Sequence, residues 1–210
     1  MQTNLNQPTP EKSTLENPTS EKQGSTFVRR ATATDALPIG QLTARSMHET
    51  IVAAIARPLS PDASALFDVS RFAETWAETL RALPSTEHQV FVAVSDGEIR
   101  GLAAIAPTLP FEFPADHPAA AELPQSRRAF EITNFDLDSR HLDEAHEARM
   151  LAAITDTIGQ PDTELYIWVF PSSENLVRFL NQAGFAPLGY QRELEIDGHI
   201  CVQHLWWTTF

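Results

Sequence analysis

Short apolar runs rich in β-branched and aromatic residues separate longer stretches whose apolar positions recur at helical spacing. FVRRAT, from Phe27, predicts a strand. Leu37, Leu42, Met47, Ile51 and Ile55 predict a helix over 35–56, capped by Thr34 or Asp35 and ended at Arg57-Pro58. Ser60-Pro61 offers an N-cap and an N1 proline, and Phe72, Trp76 and Leu80 place a second helix near 70–82. QVFVAV and IRGLAAIAP read as two strands joined at Asp96-Gly97, a tight-hairpin dipeptide. AFEITNFDLD is the next strand. The helix DEAHEARMLAAITDTI follows, with Ala148, Leu151, Ala152, Ile154 and Ile158 expected toward the core. Then come the strand ELYIWVF, the helix ENLVRFLNQA, and the strands APLGYQRELEI and HICVQHLWW around Asp197-Gly198. This order predicts an α+β domain with a mixed central sheet.

Composition narrows the setting. The 210 residues, 42% of them hydrophobic, suffice for one domain, expected over 27–210. Residues 1–26 are rich in Pro, Ser, Thr, Asn, Glu and Lys, hold no aromatic before Phe27, and are expected to be a disordered tail. A net charge of -13 disfavours nucleic acid and anionic membranes as partners; it serves solubility or, more specifically, a cationic partner. The single cysteine, Cys201, excludes an internal disulfide and fits a reducing, cytoplasmic compartment, where it is expected to be a small buried apolar residue. No apolar run reaches the length of a membrane span, and the N-terminus lacks a secretory h-region. Residues 107–128, with five prolines, are either a functional loop or an insertion without a chemical role.

Metal chemistry finds little support. In HLDEAHE, His141 and His146 are five residues apart and do not share a helical face, so no metal is expected. Neither a nucleophile elbow nor a P-loop is present. The aromatic C-terminus, Trp206, Trp207 and Phe210, suits core packing, a homodimer interface or the wall of an acceptor site.

Two segments carry a family resemblance. In LYIWVFPSSENLVRFLNQAGF, Leu165–Phe185, an apolar strand stops at Pro171, a serine-rich turn leads into an amphipathic helix, and Gly184-Phe185 follows. Upstream, EITNFDLDSRHLDEAHEARML runs from strand through loop into helix. Over about residues 27–208 the chain resembles the GNAT superfamily of acyl-CoA-dependent N-acyltransferases. Phe179, Gly184 and Phe185 match the downstream motif, while Ser173, Leu176 and Leu180 stand at its Asn, Ala and Tyr positions. Upstream, Leu137 and Ser139 take the Val and Pro positions. Leu142 takes the Arg/Gln position, and Ala145 and Glu147 the two Gly positions.

The resemblance implies a GNAT-like mixed sheet of about seven strands flanked by about four helices. It also implies acetyl-CoA as cosubstrate and acyl transfer to a small-molecule or peptide amine by direct attack. Backbone groups of Leu137 and Ser139 would hold the pantetheine, and N–H groups of Leu142, Ala145, His146, Glu147 and Ala148 would face the pyrophosphate, with Ser173 across the cleft. Glu131, sixteen residues before Glu147, would be the general base, and Asn134 and Asp136 would be acid–base or acceptor-binding groups. Four residues depart from the pattern. Leu180 cannot protonate a thiolate, Leu142 is neither basic nor an amide, Glu147 sets a carboxylate where a phosphate is expected, and Ala145 is a mild change if its φ stays negative. The alternative is a catalytically inactive GNAT-fold binding or regulatory module that has lost CoA binding.

Overall fold

The structure, a computed structural model, describes residues 26–113, 127–141 and 145–210. The tail expected over 1–26 lies outside the described residues save for Thr26, as do Leu142 and most of the 107–128 excursion. The strands are β1 (Thr26–Arg30), β2 (Gln89–Ser95), β3 (Glu98–Thr108), β4 (Arg128–Leu137), β5 (Thr163–Val169), β6 (Ala186–Ile196) and β7 (His199–Thr209). The helices are α1 (Ala36–Ile55), the single turn α2 (Pro61–Ser64), α3 (Val69–Arg81), α4 (His146–Ile158) and α5 (Glu174–Gln182). The seven strands form one sheet in the order β1-β2-β3-β4-β5-β7-β6. The β4–β5 pair is parallel and the other pairs are antiparallel, so the sheet is mixed as the sequence implies.

Each face of the sheet buries its own core. On one face Phe91, Ala93, Ala103, Ile105, Phe130 and Ile132 pack under Met150, Ile154 and Ile158 of α4 and Leu180 of α5. On the other, Val90, Val92, Leu102 and Ala104 pack under Ile39 and Leu42 of α1 and Trp76 of α3. Alternation of neighbouring strand residues between these two clusters is the period-2 signature of a sheet covered on both sides. Trp206 joins the first core, while Trp207 packs with Tyr166, Leu188 and Leu205 on the opposite face, so both indoles serve the fold of the chain itself.

Both hairpin dipeptides behave as read. Asp96 and Gly97 have φ of 52° and 81°, and Asp197 and Gly198 have φ of 50° and 73°, the left-handed pair that matches strand twist. Ser60 caps α2 by accepting from the Ala63 N–H at 3.2 Å. The Gly184-Phe185 motif also has a physical reason. Gly184 takes φ 86° after α5, and the Phe185 N–H reaches back to the Leu180 carbonyl at 2.9 Å while both side chains are buried. That closure satisfies carbonyls the helix end would otherwise leave open.

Three expectations are corrected. On α1, Leu37 is 56% and Met47 37% exposed. The buried stripe is instead built around Ile39 and Leu42 with small residues, because α1 crosses α3 so closely that a Cβ on Gly40 would lie 2.6 Å from the Ala73 nitrogen. On α4, Ala148 and Ala152 are exposed; the inward stripe is His146, Met150, Ile154 and Ile158, one residue every four. Before α1, Asp35 accepts from the Thr32 N–H in a capping box around a 3-10 turn (Ala33–Asp35) instead of capping the long helix with its side chain.

Candidate active site

The strands β4 and β5 begin as partners and then separate. Their parallel pairing runs from Arg128↔Thr163 to Ile132↔Ile167 and stops there, although β4 continues to Leu137. Past Ile132 the β5-facing backbone groups of β4 have no strand partner, an edge opened inside a sheet and available to an extended ligand.

A bulge lies at the same place. Ile105 pairs with Ile132 and Ala104 with Asn134, so Thr133 is one residue too many on β4. One extra residue reverses the parity of every side chain after it. Glu131 stands opposite Ala106, Asn134 opposite Ala104 and Asp136 opposite Leu102. These partners are alternate residues of β3, so Glu131, Asn134 and Asp136 share the face covered by α1, while Phe135 and Leu137 turn toward the α4–α5 core.

The separation opens a cleft in two halves that share Ser46, Thr50, Phe135, Ser173 and Leu176. The outer half, about 400 Å³, is lined by Leu137, Ser139, Ser172, Ser173 and Asn175, which brings the two residues expected at the pantetheine, Leu137 and Ser139, together with Ser173 across the cleft. The inner half, about 380 Å³, is lined by Asn134, Asp136, Trp168, Arg192 and Gln203 and by Ser46 and Met47 of α1. Glu131 is half-buried on this face, beyond the lining of the inner half.

The charges of the inner half are set by partial desolvation. Burial pushes the Asp136 carboxyl up to about 6, against hydrogen bonds from Ser46 and Asn134 that favour its ionised form. Burial likewise raises Glu131, opposed by the charge of Arg192. Arg192 is lowered by burial and supported by Glu131. Neither lining contains a tyrosine among the described residues. Tyr166 is on the same face, but it is fully buried, donates to the Glu164 carboxylate and accepts from the Phe111 N–H at 3.1 Å. Leu180, at the position of the family's tyrosine, is packed in the core.

At the mouth of the cleft the chain turns from β4 toward α4. Asp138, 1% exposed, is held by Arg140 at 2.7 Å, Arg100 at 3.2 Å and Arg45 at 3.3 Å. The hydrogen bonds of Arg140 keep its carboxyl well below the usual range. Ala145 has φ 52°, so the condition under which its substitution for glycine would be mild is not met; the left-handed turn is kept with an alanine in it. In the helix that follows, the N-cap residue Ala145 offers no side-chain cap, and His146, Glu147 and Ala148 form the first turn. The His146 side chain is buried, Glu147 is half-buried and Ala148 is exposed. A helix N-terminus fits a phosphate, and Glu147 in the first turn opposes it.

Sequence reasoning missed the groups that other elements bring to the inner half: Ser46 and Thr50 on α1, Trp168 on β5, Arg192 on β6 and Gln203 on β7. No local signal marked them, since each occupies an ordinary helix or strand position. The ends of the 107–128 excursion also reach this face. Phe111 packs on Tyr166 at 5.0 Å, Phe113 packs on Trp207 at 4.8 Å, and Arg127 pairs with the buried Glu164 at 2.7 Å. Among the described residues no cluster of three His, Cys, Asp or Glu could hold a metal, and no helix is long and apolar enough to cross a membrane.

No family model and no curated protein matches this sequence. Solved structures do resemble the fold. A ribosomal-protein-S5-alanine acetyltransferase from Vibrio fischeri aligns with a TM-score of 0.59 at 18% identity, covering 88% of this chain and 92% of that one. The paia N-acetyltransferase from Thermoplasma acidophilum, in complex with coenzyme A, gives 0.56 at 13%, with 89% and 99% covered. A GNAT-family acetyltransferase from Streptococcus pneumoniae gives 0.55 at 13%, with 89% and 100% covered. The sheet order, the parting of β4 from β5 and these alignments together establish that the chain has the fold of the GNAT acetyltransferases.

Proposed function

We propose that this protein is an N-acyltransferase that moves an acetyl or other short acyl group from acyl-CoA to a primary amine. The observation that carries this reading is the cleft opened where β4 leaves β5 at the Thr133 bulge, with carboxylates on its α1 side. The residues fit the cosubstrate: unpaired β4 backbone beside Leu137 and Ser139 suits the amide-bearing pantetheine, Ser173 lies across the cleft, and the N-terminus of α4 suits the pyrophosphate. The thioester supplies the acyl group when bound.

The protein's own part is to hold, orient and deprotonate. Glu131 takes the proton from the incoming ammonium, since a protonated amine has no lone pair to attack with. The new C–N bond forms as the C–S bond breaks, the electron pair leaves on sulfur, the nitrogen gives its second proton to solvent, and the thiolate takes one from solvent. Asp136, pushed up to about 6, is a second proton acceptor on the same face. An unpaired Cys201 and a need for acyl-CoA support a cytoplasmic setting.

Titration calorimetry with acetyl-CoA tests the binding step: micromolar affinity is expected, and absence of heat at millimolar ligand leaves the inactive-module reading in its place. A thiol-release assay then tests the base. Glu131→Gln is expected to lower kcat by about 10²-fold or more with acetyl-CoA affinity retained; loss in Asp136→Asn alone would move the role to Asp136.

A further inference from the structure

Arg192 is an exposed side chain that lines the inner half of the cleft. It stands on the edge strand β6 opposite Gln203 of β7, whose Oε1 accepts from the Arg192 Nε at 2.7 Å. Its guanidinium carbon lies 4.6 Å from the centroid of the Trp168 ring. These contacts use one nitrogen and one face of the planar group. Its two Nη atoms make no hydrogen bond or ion pair among the described residues, and the group lines the inner half of the cleft beside Asp136. An arginine fixed by stacking and by its Nε presents a preorganised two-pronged donor, the geometry that matches a carboxylate.

The opposite charge faces it but does not meet it. Glu131 and Arg192 act on each other electrostatically across the same face without closing a direct ion pair. A carboxylate and a guanidinium held apart are complementary to a ligand with both charges, its ammonium toward Glu131 and its anion on Arg192. A polycationic amine fits poorly. A second positive charge brought beside Arg192 is repelled by it, and the more so the less water lies between them. Trp168 lies 6.3 Å from Phe111, which in turn lies 5.7 Å from Tyr190, so an apolar wall adjoins the anchor on that side.

We propose that the acceptor is a zwitterionic amino acid whose carboxylate is held by the Nη atoms of Arg192 and whose amine is presented to Glu131. This rests on the acyl-transfer reading and names the substrate class of that same site. The carboxylate stays intact; only the amine nitrogen forms a bond.

The test compares free amino acids (methionine, phenylalanine, glutamate) with their α-carboxamides as acceptors, using acetyl-CoA and thiol release. The free acids are expected to be preferred by about tenfold or more in kcat/KM, the worth of one charge-assisted pair. Arg192→Ala is expected to bring the acid-to-amide ratio near one through a higher KM for the acids, and Arg192→Lys to recover part of it; circular dichroism checks that the fold persists. Wild-type preference for amides, or a ratio unmoved by Arg192→Ala, overturns the proposal. Direct titration of the same acids and amides onto the protein separates the two readings. If acetyl-CoA does not bind, acyl transfer falls, while the carboxylate preference is still read from these titrations. Equal binding of acid and amide, or none at millimolar concentration, overturns the Arg192 proposal on its own.

Discussion

Arg140 covers Asp138 with two hydrogen bonds, Nε to Oδ1 at 2.8 Å and Nη2 to Oδ2 at 2.7 Å, at the point where β4 leaves the sheet for the loop before α4. Arg100 and Arg45 reach the same Oδ2, and the Asp138 N–H donates to the Arg100 carbonyl at 2.8 Å. One buried carboxylate thus ties α1, β3 and the start of the loop between β4 and α4 together. Removing it leaves the arginines facing each other, with Arg140 and Arg45 still open to solvent, so Asp138→Ala is expected to cost about 1–3 kcal/mol in urea unfolding. Because its carboxyl is held below its unfolded value, this stabilisation is present above about pH 4 and lost as pH falls below it. Asp35, held down to about 2 by Arg29, adds to the same loss between about pH 4 and 2, and a wild-type acid titration of stability reads both.

Asp136 has the opposite sign. Its folded-state carboxyl sits at about 6, above its unfolded value, so its contribution is greatest below about pH 4 and is lost as pH rises through 6. Asp136→Asn is therefore expected to melt at a higher temperature than wild type at pH 7.5 and at the same temperature near pH 4. The reverse order would show that the Ser46 and Asn134 donors outweigh the burial.

Ala145 pays a conformational penalty that glycine avoids. In the left-handed region an L side chain costs about 1–2 kcal/mol, partly offset by the larger unfolded-state freedom of glycine. Ala145→Gly is expected to raise stability by about 0.5–1 kcal/mol. It is also expected to tighten acetyl-CoA binding, by letting the backbone before α4 approach the phosphates. Equilibrium unfolding and calorimetry measure the two effects separately.

Gly40 marks a close contact between α1 and α3. A methyl group there meets the Ala73 nitrogen at 2.6 Å and its Cα at 2.8 Å, both of them backbone atoms that cannot rotate away. Gly40→Ala is expected to destabilise by about 1–3 kcal/mol despite its better helix propensity, as read from the unfolding midpoint. Because α1 also lines the cleft through Ser46 and Thr50, a matching loss of acetyl-CoA affinity is expected.

The elements were legible where local chemistry decides them. Asp-Gly pairs set the two hairpins, Ser60-Pro61 starts α2, and Gly184-Phe185 closes α5, because each depends on backbone preferences a few residues long. Facing was less legible. The α4 stripe through His146 and Met150 differs from the stripe expected through Ala148 and Ala152, since alanine is apolar enough to fit either side and the neighbouring strands choose.

Most of the site depended on the assembled sheet. Local pattern located β4, the resemblance nominated Glu131, Asn134 and Asp136 on it, and the three do share a face. They do so only because Thr133 is extra, and a strand's own pattern cannot reveal how many residues its neighbour supplies opposite it. Arg192, Gln203 and Trp168 come from three different strands, and their meeting is set by register and strand order. Short-range preferences written along the chain thus specified the α+β order and its turns. The cleft, the parity of its carboxylates and the aim of Arg192 arose only on folding, because they are properties of residues far apart in sequence and fixed by pairing.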